Sequence, residues 1–263
     1  MDSEQTYTSS LSGKAALLAE TEQVLAYLAE SGSVAKVRER VIEDNLLLKR
    51  TRGTRKAIWD KINTRYLADR DPETISVLAN IVSSFLPERA RHLILFYELA
   101  HSDRLVYDLT VDALYNLYQS GQATVRKEDI LDWLQQAATA GHTEIEEWSP
   151  QTRGKVASNY LTIVRDFGLL EGTRPKSFAH FYVPLATFVY VLYRLKGEGL
   201  NDRAILESTD FCLFLLNERD ISLLLEEATR AGYITFQRAG DIYDLTFHYH
   251  SLAEVVDELT GQI

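Results

Sequence analysis

Cysteine is almost missing from this chain of 263 residues: the one thiol is Cys212, set in the apolar run FCLFLL. No intramolecular disulfide can form, and a zinc site of the cysteine-rich kind is excluded. A lone thiol in such a run reads as a small core residue. Positive charge is in deficit as well, 28 Lys and Arg against 38 Asp and Glu, a net charge of -10. The glycine patterns of a P-loop or a dinucleotide site do not occur. Long apolar runs are lacking too, with one segment to weigh. From Ser177 to Tyr193 the chain is uncharged but contains His180, Pro184 and Thr187. A membrane span needs about 20 predominantly apolar residues, so a buried core helix is expected instead. The start, MDSEQTYTSS, has no basic region followed by an apolar stretch. No secretory signal is therefore expected, and a reducing cytoplasm is the simplest compartment.

What is present is ordinary for a folded protein, 46% hydrophobic and 25% charged residues. Helical periodicity dominates. Residues 11–30 place Leu17, Val24, Leu25 and Leu28 on one stripe, and residues 33–48 do the same with Val34, Val37 and Val41. Gly53 then interrupts, Thr54 is a plausible N-cap, and Ile58, Ile62 and Tyr66 share the next helical face. Asp71-Pro72 and Ser149-Pro150 are caps followed by a proline at the first helical position. Helices are expected over 73–86, 88–101, 103–119 and about 184–196, with Asn201 capping a further one. Near the C-terminus YITFQ and IYDLTFHY alternate and flank RAGD, a hairpin signal. Ser251 and Glu254 form a capping box for the last helix. The expected fold is all-α, mainly helical, with a small C-terminal β-hairpin wing. Two regions are expected: over 1–121 a helical bundle with a basic helix-turn-helix-like link, and over 122–263 a helical region with a helix-turn-helix and a winged-helix-like unit.

Read as a helix, residues 149–168 put Val156, Tyr160, Ile163, Val164 and Phe167 on one side. Gln151, Gly154, Lys155, Ser158, Thr162 and Arg165 fall on the other, which carries no acid. Small residues let a helix settle into a major groove, Gln and Lys reach base edges, and Arg and Ser hold phosphates. Arg174 and Lys176 follow where a wing would lie. Counting Arg153, residues 151–176 hold five basic and two acidic residues, a local charge of +3. The alternative is a solvated face on an ordinary helix.

Basic residues also gather in KRTRGTRK, residues 49–56: Lys49, Arg50, Arg52, Arg55 and Lys56. From Val34 to Arg65 ten cations face four acids, a net +6, so the remainder carries -16. Such a cluster suits phosphate, whose neutralisation releases counterions. The alternative is that these cations pair with the protein's own carboxylates. Residues 217–247 are net -3 and read as structural or protein-binding. Catalysis is not expected. The histidines are His92, His101, His142, His180, His248 and His250. Of these, His248 and His250 would share a strand face, with no third metal ligand evident.

The string over residues 7–67, with Glu43-Asp44-Asn45-Leu46-Leu47, a basic link, a helix and Arg65-Tyr66-Leu67, resembles the BrxA family of the BREX bacteriophage-exclusion systems. TRGKVASNYLTIVRDFGLLEG, residues 152–172, fits as well. The resemblance implies a small, cytoplasmic, helical protein whose N-terminal helices are similar to the RNA-binding protein NusB. It further implies helix-turn-helix elements, double-stranded DNA as partner and a role in phage defence beside other BREX proteins. The resulting expectation is a non-enzymatic DNA-binding accessory protein, a monomer without cofactor or metal and without membrane contact. A protein–protein scaffold and an RNA-binding protein are the alternatives.

Overall fold

In the computed structural model, residues 6–13, 16–180, 182–240 and 242–261 are described. After a 3-10 turn at Ser9–Ser12, α1 (Leu18–Ser31) buries Thr21, Val24, Leu25 and Leu28. It therefore starts later than the periodicity suggested. Next comes α2 (Val34–Ile42), capped by Ser33. It stops six residues short of the expected end because Asn45 and Leu48 take left-handed backbone conformations, φ 60° and 51°, which a helix cannot contain.

Helix α3 (Arg52–Tyr66) is capped by Thr51, not Thr54. The Thr51 Oγ1 accepts the Thr54 N–H at 3.1 Å, so Gly53 lies inside the first turn and does not interrupt the helix. In α4 (Pro72–Ser83) the Asp71 cap accepts the Thr74 N–H at 2.8 Å, as the Asp-Pro pair predicted. Then come α5 (Glu88–Ser102) and α6 (Arg104–Asp108). A π-helical stretch at Leu109–Leu114 joins α6 to α7 (Tyr115–Gln119) without a break.

Strand β1 (Thr124–Val125) is followed by α8 (Lys127–Thr139), α9 (Thr143–Glu146) and α10 (Pro150–Asp166). Strands β2 (Leu170–Glu171) and β3 (Lys176–Phe178) come next, and the three strands form an antiparallel sheet ordered β1-β3-β2. Then follow α11 (Leu185–Gly197), α12 (Asp202–Leu206), a 3-10 turn at Thr209–Phe214 and α13 (Glu218–Arg230). Strands β4 (Ile234–Ala239) and β5 (Ile242–Phe247) form a hairpin, running from Ile234 opposite Phe247 to Ala239 opposite Ile242. The expected RAGD turn includes Asp241, which lies outside the described residues. Helix α14 (Leu252–Thr260) begins with Ser251 Oγ accepting the Glu254 N–H at 3.1 Å, and the Glu254 carboxylate accepts the His250 N–H at 2.7 Å. The chain is mainly helical with the expected C-terminal hairpin, and it carries in addition the small three-stranded sheet.

Spatially, the chain divides into two compact units, each built of two separated segments: residues 1–18 with 96–181, and residues 19–95 with 182–263. This grouping runs across the sequence boundary at 121/122. In the first unit α10 buries Val156, Ala157, Tyr160, Leu161, Ile163 and Val164 against α8, β2 and the 3-10 turn. The Tyr160 hydroxyl is satisfied by Thr110 Oγ1 at 3.1 Å. Each such apolar side chain taken from water contributes about 1.5–3 kcal/mol. In the second unit α11 is the central element: Thr187 to Tyr193 are all buried, and α12, α13 and α14 pack on it. The helical end of the uncharged segment, from Thr187 to Tyr193, is thus core, whereas His180 and Tyr182 before it are exposed, and no described helix is long and apolar enough to cross a membrane.

Candidate nucleic-acid interface

In the first unit, α8, α9 and α10 follow one another and lead directly into the β2-β3 hairpin. Ser149 caps α10, its Oγ accepting the Thr152 N–H at 3.1 Å. Gly168, at φ 83°, turns the chain from α10 toward β2, and Gly172, at φ 79°, turns it after β2. Both angles favour glycine. The Arg126 N–H, at the start of α8, donates to Asp129 Oδ2 at 2.7 Å.

The outward face of α10 is only partly as expected. Gln151 and Lys155 are exposed. Ser158 donates its hydroxyl to the Gly154 carbonyl at 2.8 Å, and Thr162 donates to the Ser158 carbonyl at 2.9 Å. These hydroxyls therefore offer lone pairs, not protons, to a ligand. Arg153 faces elsewhere. Its guanidinium donates to the carbonyls of Ile145 (3.1 Å) and Glu146 (3.2 Å) and to Gln135 Oε1 (3.0 Å). It fastens the first turn of α10 to α8 and α9. Arg165 pairs with its neighbour Asp166.

Beside that face is a cleft of about 530 Å³ lined by Arg126, Lys127, Ser158, Thr162, Arg174 and Lys176. Glu128 is the one acid along its wall. Arg174 is exposed, whereas Lys176 is buried and donates to the Thr173 carbonyl at 3.1 Å. Burial holds the Lys176 ammonium below its ordinary value. Arg165 and Arg174 push the same way, and Asp166 opposes them. Sequence reasoning missed Arg126 and Lys127, which read as the ordinary start of a helix. Their signal was a basic pair directly before EDILDW, more than twenty residues from any other Lys or Arg.

The basic link of the second unit divides into bound and free cations. Lys49 Nζ lies 2.8 Å from Glu20 Oε1, and Arg52 grips Glu43 through two hydrogen bonds. For these two the alternative of internal pairing is realised. Arg50 and Lys56 are exposed, and Arg55 is half-buried. The Glu43 carboxyl is held below its usual range by its hydrogen bonds to Arg52, with Arg55 and Arg38 adding to the effect. Arg52 alone bonds this carboxylate, and exposed Arg38 on α2 joins the basic cluster unforeseen.

The histidine pair does not behave as a strand-face pair. Strand β5 ends at Phe247, and His248 bonds Thr235 Oγ1 at 2.8 Å and the Gly232 carbonyl at 2.7 Å. Among the described residues no cluster of three His, Cys, Asp or Glu side chains could hold a metal ion.

Comparison with solved structures finds the crystal structure of an uncharacterized protein from Magnetospirillum magneticum. It has a TM-score of 0.59 at 14% identity, covering 81% of this chain and all of that one. At that identity the likeness is one of fold alone. No curated protein matches the chain. The BrxA family profile matches residues 5–192, well over half of the chain. By that match the protein belongs to the BrxA family of the BREX phage-defence systems.

Proposed function

We propose that the protein binds double-stranded DNA without catalysing a reaction on it, as an accessory component of the defence system. The observation that carries this reading is the cleft beside α10. Arg126, Lys127, Arg174 and Lys176 share it with a single acid, in a chain whose net charge is -10. Like charges held together raise one another's energy, and a bound phosphate relieves that repulsion. The element order supports the same reading. A helix, β1, α8, α10 and the β2-β3 hairpin, with the one-turn α9 between α8 and α10, follow in the order of a winged helix, in which the third helix, here α10, would enter the major groove. Gln151 and Lys155 would face base edges, Ser158 and Thr162 would accept from base amino groups, and Arg174 would meet the backbone. Exposed Arg50 and Lys56 supply a second set of phosphate contacts. The protein would work in the cytoplasm as a monomer beside other BREX proteins.

Competition between a duplex and a structured RNA tests the nucleic-acid class. Displacement by duplex DNA but not by an equal charge of folded RNA is the expected result. The reverse order would favour the RNA reading. A protein–protein scaffold has its own support in the Lys49–Glu20 and Arg52–Glu43 pairs, which use cations internally. Absence of any duplex binding at low salt would favour it.

A further inference from the structure

The loop between α2 and α3 presents a leucine outward. Leu48 is 86% exposed, while its neighbours Leu46 and Leu47 are half-buried and buried. Its backbone sits at φ 51°, a region that a leucine occupies only when its surroundings hold it there. They do so here. Leu46 N–H donates to the Arg40 carbonyl at 3.1 Å, Leu48 N–H to the Asn45 carbonyl at 2.9 Å, and Lys49 N–H to Asn45 Oδ1 at 2.7 Å. The flanks are pinned by the Lys49–Glu20 and Arg52–Glu43 pairs. The loop is thus a rigid support for one protruding aliphatic side chain.

The flanking segments carry more positive than negative charge: Arg38, Arg50 and Lys56 are exposed, while of the acids Glu43 is engaged by Arg52, Asp44 by Arg40, and Glu39 stays exposed. A single leucine is too small for the apolar centre of a protein interface, which gathers many side chains. It is the right size for the slot between two base pairs, where an apolar wedge flanked by cations unstacks a step and bends the duplex.

We infer that Leu48 is a wedge which enters a base-pair step from the minor groove while Arg50 and Lys56 hold the adjoining phosphates. This rests on the duplex-binding reading above and adds a deformation of the DNA to it. Flexible pyrimidine–purine steps, which unstack most easily, are the expected entry points.

The test uses the full chain on a mixed-sequence duplex, with permanganate reactivity reporting unstacked thymines and end-to-end energy transfer reporting the bend. The parent protein should raise thymine reactivity severalfold at discrete steps and shorten the end-to-end distance. Leu48→Ala should lose most of both signals at saturation while still binding, and Leu48→Phe should retain them. Exposed Leu48 carries no core packing, and a thermal melt of each variant verifies that the fold is kept. If the parent saturates the duplex without unstacking, or Leu48→Ala unstacks it equally, the wedge is overturned and duplex binding stands. If the parent binds no duplex at low salt, both fail. Loss of binding to anionic lipid vesicles in Leu48→Ala, with the duplex signals unchanged, would reassign the loop to a membrane surface and overturn the wedge.

Discussion

The ammonium of Lys127 lies against the backbone of Gly154: a β-carbon at residue 154 would come within 3.0 Å of its Nζ. The absence of a side chain on α10 is what lets the first residue of α8 reach across the neighbouring helix. Gly154→Ala should therefore separate stability from binding. Alanine in a helix stabilises by about 0.5–1 kcal/mol relative to glycine, and the flexible lysine can move aside. The melting temperature should rise or hold, while duplex affinity falls by a few-fold. Thermal denaturation and a gel-shift titration on the same preparation check this.

Arg153 and Lys155 should respond in opposite ways. Arg153 holds three acceptors, Gln135 on α8 and the Ile145 and Glu146 carbonyls on α9. Removing it takes the guanidinium from all three, although the Ile145 carbonyl keeps the Trp148 N–H, and Arg153→Ala should lower stability by about 1–3 kcal/mol. Lys155 is exposed, so Lys155→Ala should leave stability within about 0.5 kcal/mol and weaken DNA binding. Denaturant unfolding paired with binding isotherms distinguishes the two.

On the basic link, the exposed cations should matter and the paired ones should not. Charge reversal at Arg50 and Lys56 should weaken binding to all sequences alike, because phosphate contacts carry no sequence information. Lys49→Ala removes an ion pair with Glu20 near the surface and should change stability by less than about 1 kcal/mol, with affinity close to the parent. Equal losses from both variants in binding titrations would contradict this division.

Much of the fold could be read because its signals are local. Asp71-Pro72, Ser149-Pro150 and Ser251 each cap the helix they were expected to cap, since a cap depends on three or four adjacent residues. The early stop of α2 was hidden. Asn45 is a fair candidate for a left-handed residue, but nothing in a leucine announces the same conformation at Leu48. Thr51 and Thr54 are equally good caps on paper, and Gly53 between them suggested a break that the helix absorbs. The π-helical stretch within 103–119 leaves the helical period nearly intact and so gave no sign. In the candidate site, Lys155 and Arg174 were found by counting charge. The role of Arg153 and the reach of Lys127 depend on carbonyls and a glycine from other elements, which no local pattern encodes.

Acid should act through Asp71. The Thr74 hydroxyl and N–H donate to its carboxylate and hold it below its ordinary value. A lowered folded value means stability that is present above about pH 4 and is lost as pH falls through the folded value. Asp71→Asn should keep the cap at neutral pH and remove that part of the acid dependence. Asp71→Ala should cost about 1 kcal/mol at neutral pH. Melting curves from pH 2 to 7 for the three proteins read this directly.

The most direct test of the cationic cleft is a salt series of duplex binding for the parent and for the double variant Lys127→Ala, Arg174→Ala. Each neutralised phosphate adds about -0.9 to the slope of log affinity against log salt. The account predicts a steep slope for the parent and one shallower by roughly 2 for the double variant. Identical slopes, or a parent whose binding ignores salt, would contradict it.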